Sequence, residues 1–221
     1  MSDKGHAVVV GYGPGIGAAV AEAFGREGYS LSLIARDAAK LEEATARLSS
    51  AGLPAVGYAA DAGDEASLTG ALAEARKASG DASVLVYNAA YWRPGPLLDL
   101  TPETLVADFR VCVAGALTAA RAVAAAMRGK GVGSILFTGG GLALYPSPEA
   151  PSLSIGKAGI RSLALMLAKE LSGTGVRVGT VTVAGTVTAG TSLSPERVAE
   201  AFLAMHRSPP DAATSELVLK P

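Results

Sequence analysis

The stretch VVVGYGPGIG, residues 8–17, joins a run of β-branched residues to the start of a helical pattern. It contains four glycines, Gly11, Gly13, Gly15 and Gly17, with Ile16 between the last two. Glycine adopts positive φ and lets a backbone approach a ligand closely, so this loop suits the pyrophosphate of a dinucleotide. The helix that follows offers unpaired N–H groups to the same phosphates. A tight turn without a ligand is the alternative, but the position between a strand and a helix favours a dinucleotide site that includes these five residues.

Strands and helices alternate along the rest of the chain. Short β-rich runs predict strands at residues 6–10, 30–35, 55–60, 83–90, 133–141, 176–185 and 215–220. Apolar residues at helical spacing predict helices at residues 18–28, 37–52, 64–79, 102–127, from about 152 to near 173, and 195–206. Such alternation requires right-handed crossovers, so we expect one doubly wound α/β domain over residues 1–221. Its seven-stranded parallel sheet should carry helices on both faces.

The composition excludes several classes of protein. The chain has 221 residues and a formal net charge of −1, without the basic face of a nucleic-acid-binding or membrane-surface protein. Its single cysteine, Cys112, excludes an internal disulfide and fits a reducing cytosol. No apolar run predicts a signal peptide, and none is expected to span a bilayer. His6 and His206 stand outside any metal-ligand spacing. We therefore expect a cytoplasmic protein that binds neither nucleic acid nor membrane and holds no metal.

Several motifs resemble one enzyme family. Gly11, Gly15 and Gly17 match the G-x-x-x-G-x-G loop of the short-chain dehydrogenase/reductase family. Asp61, after the third strand, resembles the aspartate that contacts adenine in that family, although a solvated turn residue is an equal alternative. Asn88, in the sequence YNAA, resembles the family's N-N-A-G motif. Residues 154–171 and 176–187 resemble the family's central helix and its sixth strand with the following loop. The resemblance covers nearly the whole chain and implies a Rossmann fold that binds NAD or NADP.

Arg36 decides between the two dinucleotides. It stands at the end of the second strand, where a cation pairs with the 2′-phosphate of NADP, whereas an acid would bond the ribose hydroxyls of NAD. Asp37 follows directly, but as the first residue of a helix it is better explained as an N-cap. The sequence therefore favours NADP, with NAD as the less favoured cofactor.

The catalytic positions that the resemblance implies are mostly replaced. In the family, a tyrosine four residues before a lysine exchanges the substrate proton, the lysine tunes it and binds the nicotinamide ribose, a serine orients the carbonyl, and an asparagine holds a relay water. Lys157 remains here, but the tyrosine position is Leu153, the serine position is Gly140, and the asparagine position is Cys112. Neither leucine nor glycine can act as a general acid. A lysine that merely reaches solvent is the alternative reading of Lys157.

Two hypotheses about function follow from these replacements. In the first, the protein is an NADP(H)-dependent oxidoreductase acting on a small carbonyl or alcohol, and its proton comes from water or from another residue. Tyr145, in the loop before the Lys157 helix, is the candidate donor, and Tyr91 is a second tyrosine close to the expected nicotinamide site. In the second, the protein binds a dinucleotide without turnover, in a sensing or structural role. The surplus small apolar residues in the helices at residues 102–127 and around Lys157 predict a homodimer or a homotetramer, as the resemblance also implies.

Overall fold

Seven parallel strands form one sheet in a computed structural model that describes residues 4–211 and 214–221. The strands are β1 (His6–Val10), β2 (Ser30–Ala35), β3 (Ala55–Ala59), β4 (Ala82–Tyr87), β5 (Gly133–Gly140), β6 (Val176–Val183) and β7 (Glu216–Leu219). Their order across the sheet is β3-β2-β1-β4-β5-β6-β7, and every neighbouring pair is parallel. The chain moves outward in one direction from β1 and then restarts at β4 in the other, which places a crevice beyond the carboxyl ends of these two strands. The predicted doubly wound α/β fold is confirmed; residues 1–3 and 212–213 of the predicted domain lie outside the described part.

Helices cover both faces of the sheet. They are α1 (Ile16–Arg26), α2 (Ala38–Ser50), α3 (Glu65–Ser79), α4 (Pro102–Phe109), α5 (Gly115–Lys130), α6 (Pro151–Glu170) and α7 (Pro195–Arg207), with short 3-10 turns at Leu97–Asp99 and Gly141–Ala143. Phe24 of α1 and Phe202 of α7 lie in the core on one face, while Leu68 of α3 and Ile160 of α6 lie in the core on the other. Fully burying a side chain of this kind stabilises the fold by about 1.5–3 kcal/mol.

Side-chain caps start four of the helices. Asp37 accepts a hydrogen bond from the backbone N–H of Lys40 at 3.1 Å, so its expected role as the N-cap of α2 is confirmed. Asp64, Thr101 and Ser194 cap α3, α4 and α7 in the same way. Each such bond satisfies an amide that the helix leaves without a partner and contributes about 1 kcal/mol.

The predicted helix at residues 102–127 is instead two helices joined by a π-helical turn. The turn spans Arg110–Ala114, and the second helix continues to Lys130. The hydroxyl of Tyr87 donates a hydrogen bond to the carbonyl of Val111 inside this turn. Gly115 follows at a close approach, because a Cβ there would lie 2.1 Å from the carbonyl oxygen of Ala62. Apolar periodicity cannot report one extra residue in a turn, which is why the sequence predicted an uninterrupted helix.

The helical stretch Pro102–Lys130 also corrects the expectation that no segment can span a bilayer. In the part of the chain that the structure describes, it alone has the length and composition of a membrane span, with 29 residues that include an 18-residue window of mean hydropathy 1.4. One such stretch is only weak evidence for a membrane span, since core helices of water-soluble domains share its length and composition. Here Ala116, Ala120 and Val123 belong to the core that packs on the sheet, as in a core helix.

Candidate cofactor cleft and the site around Lys157

A cleft of about 1180 Å³ opens at the carboxyl ends of β1, β2 and β4. Six of the predicted cofactor residues line it: Gly11, Gly13, Gly15, Arg36, Asp61 and Asn88. Ile16 and Gly17 belong to the first turn of α1 and do not line the cleft, and neither does Lys157, which lies on α6. The structure thus brings together side chains and backbone from four separate segments, the glycine loop and the residues after β2, β3 and β4, at the edge of the sheet where doubly wound folds bind ligands.

The four glycines of the loop serve two different purposes. Gly11 has φ +83°, and a Cβ there would lie 2.3 Å from the backbone nitrogen of Ala89. A Cβ at Gly17 would lie 2.9 Å from the carbonyl oxygen of Gly11. At Gly13 and Gly15, by contrast, a Cβ would meet no atom within 4 Å from any described residue other than its neighbours in the chain. Gly11 and Gly17 are therefore required for packing, whereas Gly13 and Gly15 keep the backbone accessible from the cleft, as a pyrophosphate needs.

A chain of hydrogen bonds joins Lys157 to the glycine loop. The Nζ of Lys157 donates to the carbonyl of Thr138 at 2.7 Å, and the hydroxyl of Thr138 donates to Oδ1 of Asn88 at 2.9 Å. The Nδ2 of Asn88 then donates to the carbonyl of Gly11 at 2.9 Å. Asn88 thereby has both ends of its amide engaged, one on β5 and one on the loop after β1. It therefore links β5 to the loop after β1 at a position that itself lines the cleft.

Lys157 is buried, with 9% of the residue exposed, and is not a lysine that reaches solvent. Burial disfavours the charged ammonium and lowers the pKa of Lys157 from 10.5 to about 8, with the nearby Cys112 opposing this shift. A Cβ at Gly140 would lie 3.2–3.3 Å from three methylene carbons of Lys157, so the lysine stem packs against this glycine. No carboxylate is among the causes of the shift, and the lysine is held by a backbone carbonyl.

The three residues at which the resemblance predicts the family's tyrosine, serine and asparagine lie around this lysine. Leu153 is half-buried in the first turn of α6, and Gly140 ends β5 against the lysine stem. Cys112, in the π-helical turn, is 2% exposed and packs on α6, where a Cβ at Gly156 would lie 3.0 Å from its Sγ. Burial raises the pKa of the Cys112 thiol, so it remains protonated near neutral pH. These three side chains offer no acid with an accessible proton.

The structure places Tyr145 outside the cleft and Asp61 in its lining. Tyr145 follows the 3-10 turn Gly141–Ala143 and is 71% exposed. Within the described residues its hydroxyl has no hydrogen-bond partner, and it does not line the cleft. Asp61 lines the cleft but also accepts a hydrogen bond from the backbone N–H of Gly63 at 2.8 Å. Both readings of Asp61, as a turn residue and as a cleft residue, are therefore compatible with its geometry.

Two arginine contacts in the cleft were not predicted. Arg36 donates a hydrogen bond from one terminal nitrogen to the hydroxyl of Tyr91, and its Cζ lies 4.9 Å from the centre of the Tyr91 ring. Tyr91 therefore contacts the residue predicted to recognise the 2′-phosphate, and the expectation that it lies close to the nicotinamide is wrong. Elsewhere in the cleft, Arg47 of α2 donates a hydrogen bond to the hydroxyl of Tyr12 at 3.1 Å and another to a carboxylate oxygen of Glu22 at 2.6 Å. Tyr12 lies inside the glycine loop, so its position could have been noticed in the sequence, but its arginine partner is 35 residues away.

Comparisons with known proteins identify the class to which this fold and cleft belong. A family model described as short chain dehydrogenase matches residues 5–198. The chain is a member of the short-chain dehydrogenase/reductase family, as its motifs implied.

Individual relatives agree with this assignment. The chain is 32% identical to 2-(S)-hydroxypropyl-CoM dehydrogenase 3 of Xanthobacter autotrophicus, over 96% of this chain and 87% of that protein. It is 34% identical to the inactive 2-(S)-hydroxypropyl-CoM dehydrogenase 2 of the same organism, over 76% and 73% respectively. Among solved structures, a metagenomic short-chain oxidoreductase in complex with NADP superposes with a TM-score of 0.88 at 29% identity, covering 99% of this chain and 98% of the other.

Proposed function

We propose that the protein transfers a hydride between NADP(H) and a small carbonyl or alcohol, slowly, through a site that retains the cofactor half of the family's machinery. Its family membership makes it an NADP(H)-dependent oxidoreductase, and the cleft at the ends of β1, β2 and β4 fits the dinucleotide. The single observation that carries the proposal is the continuous path of hydrogen bonds from Lys157 through Thr138 and Asn88 to Gly11. These bonds connect Lys157 to Asn88 and Gly11, which line the cleft in which a dinucleotide would lie.

Specific residues would hold the cofactor. The pyrophosphate would be bound by the accessible backbone at Gly13 and Gly15 and by the N-terminus of α1. Ile16, the first residue of α1, would contribute its backbone N–H group. Arg36 supports recognition of a 2′-phosphate, because its guanidinium stands at the end of β2 and faces the cleft. Asp61 would contact the adenine. Lys157 would bond the nicotinamide ribose, as its family resemblance implies.

The chemistry is divided between the cofactor and the chain. When bound, the nicotinamide supplies or accepts the hydride, so loss of the family's acid slows the reaction without forbidding it. The protein then has to orient the substrate and provide a proton. With Leu153 and Gly140 at the two nearest positions, we infer that this proton comes from water, or from Tyr145 after movement of its loop. Reactive carbonyls, which need the least polarisation, are the expected substrates.

Assembly and location belong to the same proposal. Val106, Phe109, Leu117, Ile155 and Met166 are each at least 40% exposed, on α4, α5 and α6. These apolar side chains support a homodimer, or a tetramer built from dimers, in which the helices of two copies pack together. The single buried Cys112 and the near-neutral net charge support a cytoplasmic protein of one domain that acts away from membranes and nucleic acid.

Calorimetry and a turnover assay test this function. The parent protein is titrated with NADPH, NADP, NADH and NAD, and reduction of a panel of reactive dicarbonyls is followed with the dinucleotide that binds. Lys157→Met should weaken binding and reduce turnover, whereas Lys169→Met, which changes an exposed lysine on the same helix, serves as the matched control. Tight binding without any turnover would support the alternative of a dinucleotide sensor. Failure to bind any of the four would overturn the proposal.

A further inference from the structure

Arg36 and Tyr91 meet across the cofactor cleft. Arg36 follows β2 and Tyr91 lies a few residues beyond the end of β4, and β1 lies between these two strands in the sheet. Strands are spaced about 4.8 Å apart, so the ends of β2 and β4 are about 10 Å apart. A long arginine and a tyrosine are both needed to bridge that distance. Their contact passes over the end of β1, where the glycine loop begins.

We propose that Tyr91 is a positioning residue that holds the Arg36 guanidinium at the cleft and thereby sets the preference for a dinucleotide carrying a 2′-phosphate. The inference rests on the proposed function and deepens it. Two contacts carry it: the hydrogen bond from Arg36 to the Tyr91 hydroxyl, and the position of the guanidinium carbon 4.9 Å from the ring centre. Both side chains line the same cleft.

The contact leaves Arg36 able to bind a phosphate. A guanidinium has five N–H groups in a planar fork, and the Tyr91 hydroxyl accepts from only one terminal nitrogen. The other N–H groups remain available for the bidentate contact that phosphate favours. Arg36 is otherwise an exposed side chain, and an arginine that is already ordered loses less rotamer freedom when its ligand binds. Tyr91 therefore contributes to affinity without itself contacting the phosphate.

A second arginine, Arg93, also lies close to the Tyr91 ring. The Cζ of Arg93 lies 5.9 Å from the ring centre. Arg93 binds Asp108 through two hydrogen bonds, of 3.0 and 3.1 Å. Asp108 is 1% exposed on α4, one turn before Cys112. A buried carboxylate that accepts both prongs of an arginine is a firm anchor, so the segment after Asn88 presents Tyr91 to Arg36 in a fixed direction.

Dinucleotide preference in tyrosine variants tests this role. Dissociation constants are measured by calorimetry for NADPH and NADH, and for the fragment pair 2′,5′-ADP and 5′-AMP, which differ only in the 2′-phosphate. Tyr91→Phe keeps the ring and should reduce the preference for the phosphorylated member of each pair by about three- to tenfold, and Tyr91→Leu should reduce it further. Tyr58→Phe is the matched control, because the Tyr58 hydroxyl is buried, has no hydrogen-bond partner among residues 4–211 and 214–221, and does not line the cleft. Its preference should equal that of the parent.

The same measurement in an Arg36→Ala background separates positioning from a general structural effect. There Tyr91→Phe should leave the preference unchanged, since the group that it positions is gone. A parent protein that prefers NADPH and a Tyr91→Phe variant with the same preference would overturn the inference while leaving the proposed function intact. Tighter NADPH binding by Tyr91→Phe would also overturn it, because the hydroxyl would then compete with the phosphate. A parent that binds no dinucleotide would instead overturn the proposed function.

Discussion

The cofactor end of the cleft and the region around Lys157 have been kept to different degrees. At the first, the glycine loop, Arg36 and Asn88 all face one cavity and are held by defined contacts. At the second, Lys157 is hydrogen-bonded and buried, but its surroundings are Leu153, Gly140 and Cys112. From this comparison we expect that binding a dinucleotide and completing a proton transfer are separable properties of this fold. Dinucleotide binding depends on backbone shape and one cation, whereas proton transfer depends on a few titratable side chains.

The largest effect that would sharpen this comparison is expected within the glycine loop itself. Gly11→Ala places a methyl group against the backbone of Ala89 in a left-handed conformation, so it should reduce the free energy of unfolding by roughly 3 kcal/mol or more. Gly15→Ala adds a methyl group where no protein atom lies within 4 Å, and should change stability by about 1 kcal/mol or less. Its cost should appear instead in NADPH affinity, on the order of tenfold, because the methyl group points into the pyrophosphate site.

Urea unfolding and calorimetry on the same two variants check this division. Equal stability losses for Gly11→Ala and Gly15→Ala would mean that all four glycines are needed for packing. The inference that Gly13 and Gly15 keep the backbone accessible to a pyrophosphate would then be contradicted.

Lys157 should give the next largest effect, with function and stability moving in opposite directions. Its pKa is lowered by burial to about 8, so the folded state binds fewer protons than the unfolded state between about pH 8 and pH 10.5. The burial penalty is therefore fully present below pH 8 and is relieved as the pH rises through this window. Lys157→Met should remove a penalty on the order of 3 kcal/mol at neutral pH, less about 1 kcal/mol for the lost hydrogen bond to Thr138, and should weaken NADPH binding.

The informative quantity is the pH dependence of the difference between variant and parent. Denaturant unfolding at about pH 7 and about pH 10 should show the stability advantage of Lys157→Met shrinking at the higher pH. Lys169→Met, on the exposed side of α6, should show no such trend. A difference that does not change with pH would mean that Lys157 is not destabilised by its burial.

Replacing Arg36 tests whether its positive charge sets the preference for NADPH over NADH. Arg36→Ala should remove most of the preference for NADPH over NADH, about 1.5–3 kcal/mol for a charge-assisted bond. It should leave NADH affinity nearly unchanged, since the 2′-phosphate is the only group that distinguishes the two ligands. Lys169→Ala, which removes an exposed lysine that does not line the cleft, is a control for the loss of one positive charge. Equal binding of NADPH and NADH by the parent would contradict the assignment of Arg36.

The sequence predicted the parts of this molecule that depend on short-range patterns. The alternation of strands and helices, the glycine loop and the capping role of Asp37 are all local, and the structure agrees with each. The π-helical turn at Arg110–Ala114 was missed because it adds a residue without changing the apolar pattern. The contact between Arg36 and Tyr91 was missed because it joins residues 55 positions apart, through hydrogen-bond geometry that no spacing encodes. Tyr145 was placed near the site by its position in the chain, but its exposed ring lies on a loop whose direction local sequence does not specify.

The smallest effect is expected from Leu153→Tyr, which restores only the family's acid. It should raise the reduction of reactive dicarbonyls by about tenfold or less, because Gly140 and Cys112 would still neither orient a carbonyl nor hold a relay water. Adding Gly140→Ser and Cys112→Asn should raise the rate clearly further, since residues that act as one unit contribute non-additively. The lysine stem must shift to admit the serine, because a Cβ at Gly140 lies only 3.2–3.3 Å from it. Strong activity of the parent that Leu153→Tyr leaves unchanged and Tyr145→Phe abolishes would mean that the proton comes from the Tyr145 loop. In that case another residue would supply the proton in place of the family's tyrosine, and the contrast between the cofactor cleft and the region around Lys157 would disappear.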